Sequence, residues 1–132
     1  MHRMIFVNLP VEDVAVSRAF FTALGYTFNE AFSDENALCL VLGDNLYAML
    51  LRREFFATFA PGAVADATTA TQVLVALSVP SREAVDRLVT DAVGAGGTEF
   101  REPQDHGFMY GRSYRDLDGH VWEILWTDPA AG

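Results

Sequence analysis

The sequence predicts an α+β fold built from two β-α-β-β-β modules, and three observations carry that reading. The succession of strand, helix and strand patterns in the first half returns in the second. Val7, Leu9 and Val11 recur as Val75, Leu77 and Val79 in the same alternation. The turn Asp44-Asn45 recurs as Asp118-Gly119, which aligns Met49 with Glu123.

Residues 4–10 alternate as a strand, and Asp13 is placed to cap a helix with Val16, Phe20, Ala23 and Leu24 on its apolar stripe. Gly25 stops that helix. Strands are expected over 26–32, 37–42 and 46–51, joined at Ser33-Asp34 and at Gly43-Asp44-Asn45. Residues 52–71 form a connector carrying Phe55, Phe56 and Phe59 on one helical turn, followed by Pro61-Gly62. The Phe cluster suits a core plug, a dimer contact or a lid over a pocket. A strand over 72–79 then opens the second module. Ser81 caps a helix with Val85, Leu88, Val89 and Ala92 on one face, ended by Gly94 and Gly96-Gly97. Strands over 98–101, 109–115 and 121–127 complete it. The chain thus divides into module 1 over 1–51, the connector over 52–71 and module 2 over 72–132, read as a single domain. Each helix is expected to cover the sheet face bearing Ile5, Val7 and Leu9. Phe6, Asn8, Leu74, Ala76 and Ser78 then lie on the opposite face.

A chain of 132 residues can bury one real core, or two small fused ones. Its 51% hydrophobic and 20% charged residues suit a globular protein rather than a disordered one. All nine basic residues are Arg, against 18 acidic ones, a net charge of −9. That balance argues against a nucleic-acid partner, which needs basic contacts to phosphate. It would attract a cationic ligand instead. No apolar run is long enough to cross a membrane, and the first residues run straight into a strand pattern rather than a leader. The single Cys39 cannot form an internal disulfide and reads as a core residue. The expectation is a cytoplasmic protein.

The most informative stretch is D-L-D-G-H-V-W-E-I-L-W at 116–126. It closes a hairpin at Asp118-Gly119 and places one carboxylate, Glu123, in an apolar strand. Such a carboxylate is costly to bury unless a hydrogen-bond network, a metal or a ligand satisfies it. Asn8 and Ser113 are the polar groups expected near it. A two-residue turn would set Tyr114 and Arg112 on the Glu123 face, whereas a type I turn with a bulged Gly119 sets Ser113 and Gly111 there. The D-x-D-G pattern favours the bulged turn and Ser113. Tyr110 and His106, in a glycine-flanked loop, are candidate gates.

These residues also carry a family resemblance. V-N-L-P-V-E-D at 7–13, F-F-T-A-L-G-Y at 20–26 and D-L-D-G-H-V-W-E-I at 116–124 resemble the vicinal oxygen chelate superfamily. That superfamily includes glyoxalase I, extradiol dioxygenases and the fosfomycin and bleomycin resistance proteins. The resemblance implies that the modules form a concave, barrel-like mixed sheet with helices outside, and that the protein is a homodimer. In metal-dependent members each module supplies two ligands, and the matching positions here are Phe6, Met49, Leu74 and Glu123. Three of these are apolar, so no metal and no other cofactor is expected. The position matching the dioxygenase tyrosine is Ser113. The implied site is a mostly apolar cup lined by Phe6, Asn8, Tyr47, Met49, Leu74 and Ser113, with Glu123 as its base or anchor. The first reading is a glyoxalase- or bleomycin-resistance-like binder of a small molecule, a cationic one being favoured by the net charge. The alternative is a lyase or oxidoreductase using Glu123 on a small carbonyl or thiol-adduct substrate.

Overall fold

The computed structural model describes residues 1–130. The chain divides into two compact units, the first Met1–Asp66 and the second beginning at Ala67, so the boundary falls within the connector.

In the first unit, β1 (Ile5–Val11) leads into α1 (Val14–Ala23). The Asp13 carboxylate accepts hydrogen bonds from the amides of Ala15 and Val16, at 2.9 and 3.3 Å, and so caps the helix. Gly25 follows at φ +93°, in the left-handed region where glycine is unstrained. The buried stripe of α1 is Val14, Ser17, Phe20 and Phe21, continued by Leu24. Val16 and Ala23, expected on that stripe, are exposed. A serine in the core line hides the helical period from a reading of apolar residues alone.

β2 is only Thr27–Phe28. The expected strand over 26–32 gives way to a 3-10 turn, Glu30–Phe32, because the Asn29 side chain accepts from the Ala31 amide and caps the turn. β3 (Ala37–Gly43) and β4 (Leu46–Arg52) form an antiparallel hairpin with Asn45 at φ +64°. The sheet order is β1-β4-β3-β2, with β1 parallel to β4. Helix α1 packs on β3 and β4, against Leu38, Leu40, Ala48 and Leu50, which are fully buried. Because β1 is the edge strand, only its C-terminal half, Leu9 and Val11, is buried. Ile5, expected beneath the helix, is 51% exposed. A short helix α2 (Arg53–Ala57) carries the Phe cluster and packs on β1 and β4.

The second unit repeats the plan. β5 (Leu74–Ser78) is shorter than the predicted 72–79. The Ser81 hydroxyl accepts from the Ala84 amide at 3.1 Å and caps α3 (Arg82–Gly94), which buries Val85, Val89 and Ala92. β7 (Met109–Arg115) and β8 (Val121–Thr127) fall where the sequence puts them. The strand expected over 98–101 is reduced to an isolated bridge, Thr98 with Arg115. The outer strand β6 is Gln104–Asp105, paired with Gly111 and Tyr110. The intervening chain holds more residues than the facing stretch of β7 can pair, and Pro103 offers no N–H to a ladder. The order is β5-β8-β7-β6, again with one parallel pair and α3 packed on β7 and β8.

The fold class is therefore α+β, two four-stranded mixed sheets each with its own helix. Among the described residues no helix is long and apolar enough to cross a membrane.

Candidate functional site

The hairpin before Glu123 is organised by Asp116. Its amide donates to the His120 carbonyl at 2.9 Å. One carboxylate oxygen accepts from the amides of Asp118 and His120, at 2.9 and 3.0 Å, and the other from the Trp122 indole at 2.9 Å. Gly119 stands at φ +87°, the bulged form of the turn. A Cβ there would lie 2.7 Å from the Ala67 carbonyl oxygen, since the connector backbone passes directly against it. Asp116 is buried, which pushes its carboxyl above the usual value of 3.8 despite the nearby His120 and the hydrogen bonds. The sequence reading took D-L-D-G for turn chemistry and missed Asp116 as its buried anchor.

This turn fixes the register of the strands that follow. Ser113 pairs with Glu123 and Tyr114 with Trp122, so Ser113 shares the Glu123 face. Ala76 lies opposite Glu123 on the other flank. In the first unit Asn8 and Cys39 flank Met49 in the same manner. Met49 thus occupies in its module the place that Glu123 holds in the second.

Glu123 is one-quarter exposed and not isolated: the Arg101 guanidinium reaches its Oε1 at 3.4 Å. Of the two residues expected near it, Ser113 lies in the same unit and does not serve it. Asn8 donates to the Phe6 carbonyl at 3.1 Å. The Ser113 hydroxyl, on a residue 1% exposed, makes no hydrogen bond. Arg101 went unrecognised; the available signal was that a carboxylate in an apolar strand requires a cation nearby. Glu123 and Leu74 line a pocket of about 410 Å³ with Thr71, Phe100, Arg101, Arg115 and Val121.

The first-unit candidates gather around β1 and β4. Phe6 stacks on Tyr47 with ring centroids 5.0 Å apart and planes 14° from parallel. Asn8 neighbours Met49 and lines a second pocket, about 460 Å³, walled by Leu51, Phe56, Phe59, Ala60 and Pro61. The Phe cluster therefore borders a pocket rather than filling a core, with Phe59 and Phe55 in edge-to-face contact at 5.1 Å. Cys39 is fully buried, and burial pushes its thiol up, as suits a core residue.

Tyr110 is no gate. Its hydroxyl donates to Asp86 at 2.6 Å, and its ring lies 5.1 Å from the Arg82 guanidinium carbon, which stands at the same distance from Trp126. Arg112 is clasped by Glu99 and Asp86, at 2.8 and 3.0 Å. These pairs lie between α3 and the sheet, away from Glu123.

Among the described residues no three His, Cys, Asp or Glu side chains gather around a point that an ion could occupy. At the four positions that the resemblance assigns to metal ligands stand Phe6, Met49, Leu74 and a Glu123 already facing Arg101. That donor set does not fit a divalent cation.

Residues 3–43 match the family described as bleomycin resistance protein-like N-terminal. No curated protein matches the chain. Among solved structures, a hypothetical protein from S. aureus is similar at 28% identity and a TM-score of 0.81, over 96% of this chain and 95% of that one. A glyoxalase/bleomycin resistance protein/dioxygenase family enzyme from Burkholderia phytofirmans PsJN is similar at 22% identity and a TM-score of 0.75, over 92% and 96%. A genomically encoded fosfomycin resistance protein from Listeria monocytogenes shares the fold at 16% identity and a TM-score of 0.69, over 98% and 97%. Residues 3–43 thus carry a bleomycin resistance protein-like N-terminal match, and the chain as a whole shares the fold of proteins named for glyoxalase, bleomycin resistance and fosfomycin resistance.

Proposed function

We propose that this protein binds a small organic molecule at the Glu123 face of its second module, without the divalent metal that serves many proteins of this fold. One observation carries the reading: of the four positions matched to metal ligands, three are apolar and the fourth is paired with Arg101. What remains is a pocket with apolar walls and a few charged groups, the usual make-up of a small-molecule site. The bleomycin resistance-like N-terminal match supports a binding role. Catalysis on a small carbonyl or thiol-adduct substrate is the second reading. It is favoured by the length of the Arg101 contact, 3.4 Å, which leaves Glu123 oxygen lone pairs available to a substrate proton.

Zinc, nickel and iron(II) titrations of the purified protein test the first reading. No saturable binding is expected, and a chelator leaves the melting temperature unchanged. Stoichiometric metal held through Glu123 would overturn it. Glu123→Gln separates the two readings: a binder keeps its fold with altered ligand affinity, whereas an enzyme using Glu123 as base keeps affinity and loses turnover.

A further inference from the structure

Resting on the small-molecule reading above, we infer that the pocket beside Glu123 takes an organic monocarboxylate, with the Arg115 guanidinium as its counter-charge. Arg101 is engaged by Glu123, but the Arg115 guanidinium forms no ion pair or hydrogen bond with any described residue. Arg115 is only partly exposed, and its backbone is held on both flanks: on one its amide donates to Thr98 at 2.8 Å and its carbonyl accepts from Thr98 at 3.0 Å, and on the other it pairs with Val121. An arginine held in place, partly desolvated and unpaired costs free energy until an oxyanion meets it. Its planar fork matches the two oxygens of a carboxylate.

The rest of the pocket defines what the carboxylate is attached to. Leu74 is 57% exposed and Phe100 45%, and with Val121 they present apolar surface to the same space. A flat or aliphatic body covering them would gain hydrophobic free energy in proportion to the area covered. The volume of about 410 Å³ suits a compact aromatic acid. Glu123 sets the charge. A dianion such as a phosphate monoester would place its second charge against that carboxylate, and a cation would face two guanidiniums. The net charge of −9, which favours cations at long range, is screened over about 8 Å at physiological salt, so the nearest groups decide.

Three matched probes test this: 2-naphthoate, 2-naphthamide and 2-naphthylmethylamine, titrated calorimetrically into the full-length protein with chelator present. Naphthoate should bind at least about tenfold more tightly than the amide, with the amine weakest. Arg115→Met should abolish the preference for acid over amide and leave the melting temperature unchanged, since its backbone bonds to Thr98 persist and its guanidinium pairs with no described residue. Arg115→Lys should keep part of the preference. Tighter binding of the amide or amine would overturn the acid assignment while leaving small-molecule binding intact. Failure of all three to bind would overturn the assignment of this pocket. Unaltered naphthoate affinity in Arg115→Met would overturn the role of Arg115. If naphthoate bound only after zinc or nickel was added, the metal-free reading would fall and the acid preference would stand.

Discussion

Removing the Asp116 side chain is the sharpest test of how the Glu123 strand is held. Asp116→Ala deprives three donors of their acceptor: the amides of Asp118 and His120 and the indole of the fully buried Trp122. Each hydrogen bond contributes about 1 kcal/mol net, so the expected loss at neutral pH is about 3 kcal/mol. Relief of carboxylate burial offsets part of the loss. Burial raises the folded-state value of Asp116 above the unfolded 3.8, so the folded protein binds this proton more tightly than the unfolded chain does. The stability contributed by that group is therefore fullest below 3.8 and is lost as pH rises through the raised value. Asp116→Ala should accordingly cost more near pH 3.5 than at pH 7. Urea unfolding followed by tryptophan fluorescence measures both quantities, because Trp126 still reports after Trp122→Phe. In that second background Asp116→Ala should cost about 1 kcal/mol less, the share of the indole bond. A loss below about 1 kcal/mol at pH 7, or an unchanged cost without the indole, refutes the reasoning.

Gly119→Ala combines a left-handed backbone with a Cβ 2.7 Å from the Ala67 carbonyl oxygen and should cost more than about 2 kcal/mol; urea midpoints unchanged from wild type would count against it. The Arg112 guanidinium holds the Glu99 carboxyl below its usual 4.5, so this pair adds stability above 4.5 that disappears as pH falls through the lower folded value. Glu99→Gln should therefore flatten the acid side of the stability profile, and an unaltered slope would show that the pair carries no such linkage. A homodimer is expected because β1 and β5 each stand at the edge of their sheet, and Ile5 on β1 is left exposed. Sedimentation of a monomer at micromolar concentration would rule it out.

The elements legible in the sequence were those whose signal is local. Asp13 and Ser81 precede helices that they do cap, and the two strands of the D-L-D-G-H hairpin fall where alternation and turn chemistry place them. The doubled module was readable because both copies keep the same strand order and set Met49 and Glu123 at matching places, opposite Cys39 and Ser113. Most errors arose where a side chain far along the chain decided the outcome. Thr98 pairs with Arg115 but the residues after it do not extend the strand. Arg101 reaches Glu123 from that same irregular stretch, where no period-two reasoning could place it. One error was local: the Asn29 side chain accepts from the Ala31 amide and ends β2, a choice that composition does not reveal. For the candidate site, Glu123 and the Ser113 register followed from turn type, while the guanidiniums facing the pocket did not.

The passage of Ala67 and Thr68 against Gly119 has a practical consequence for anyone dividing this polypeptide. Strand patterning suggests severing it at residue 72, where the second module first looks regular. A fragment begun there would lack the backbone that roofs the Gly119 turn, and with it the cover over the loop that aims β8. A split reporter or an exchange of modules between homologues should break the chain ahead of Ala67. The irregular residues 67–71 then travel with the half that they brace.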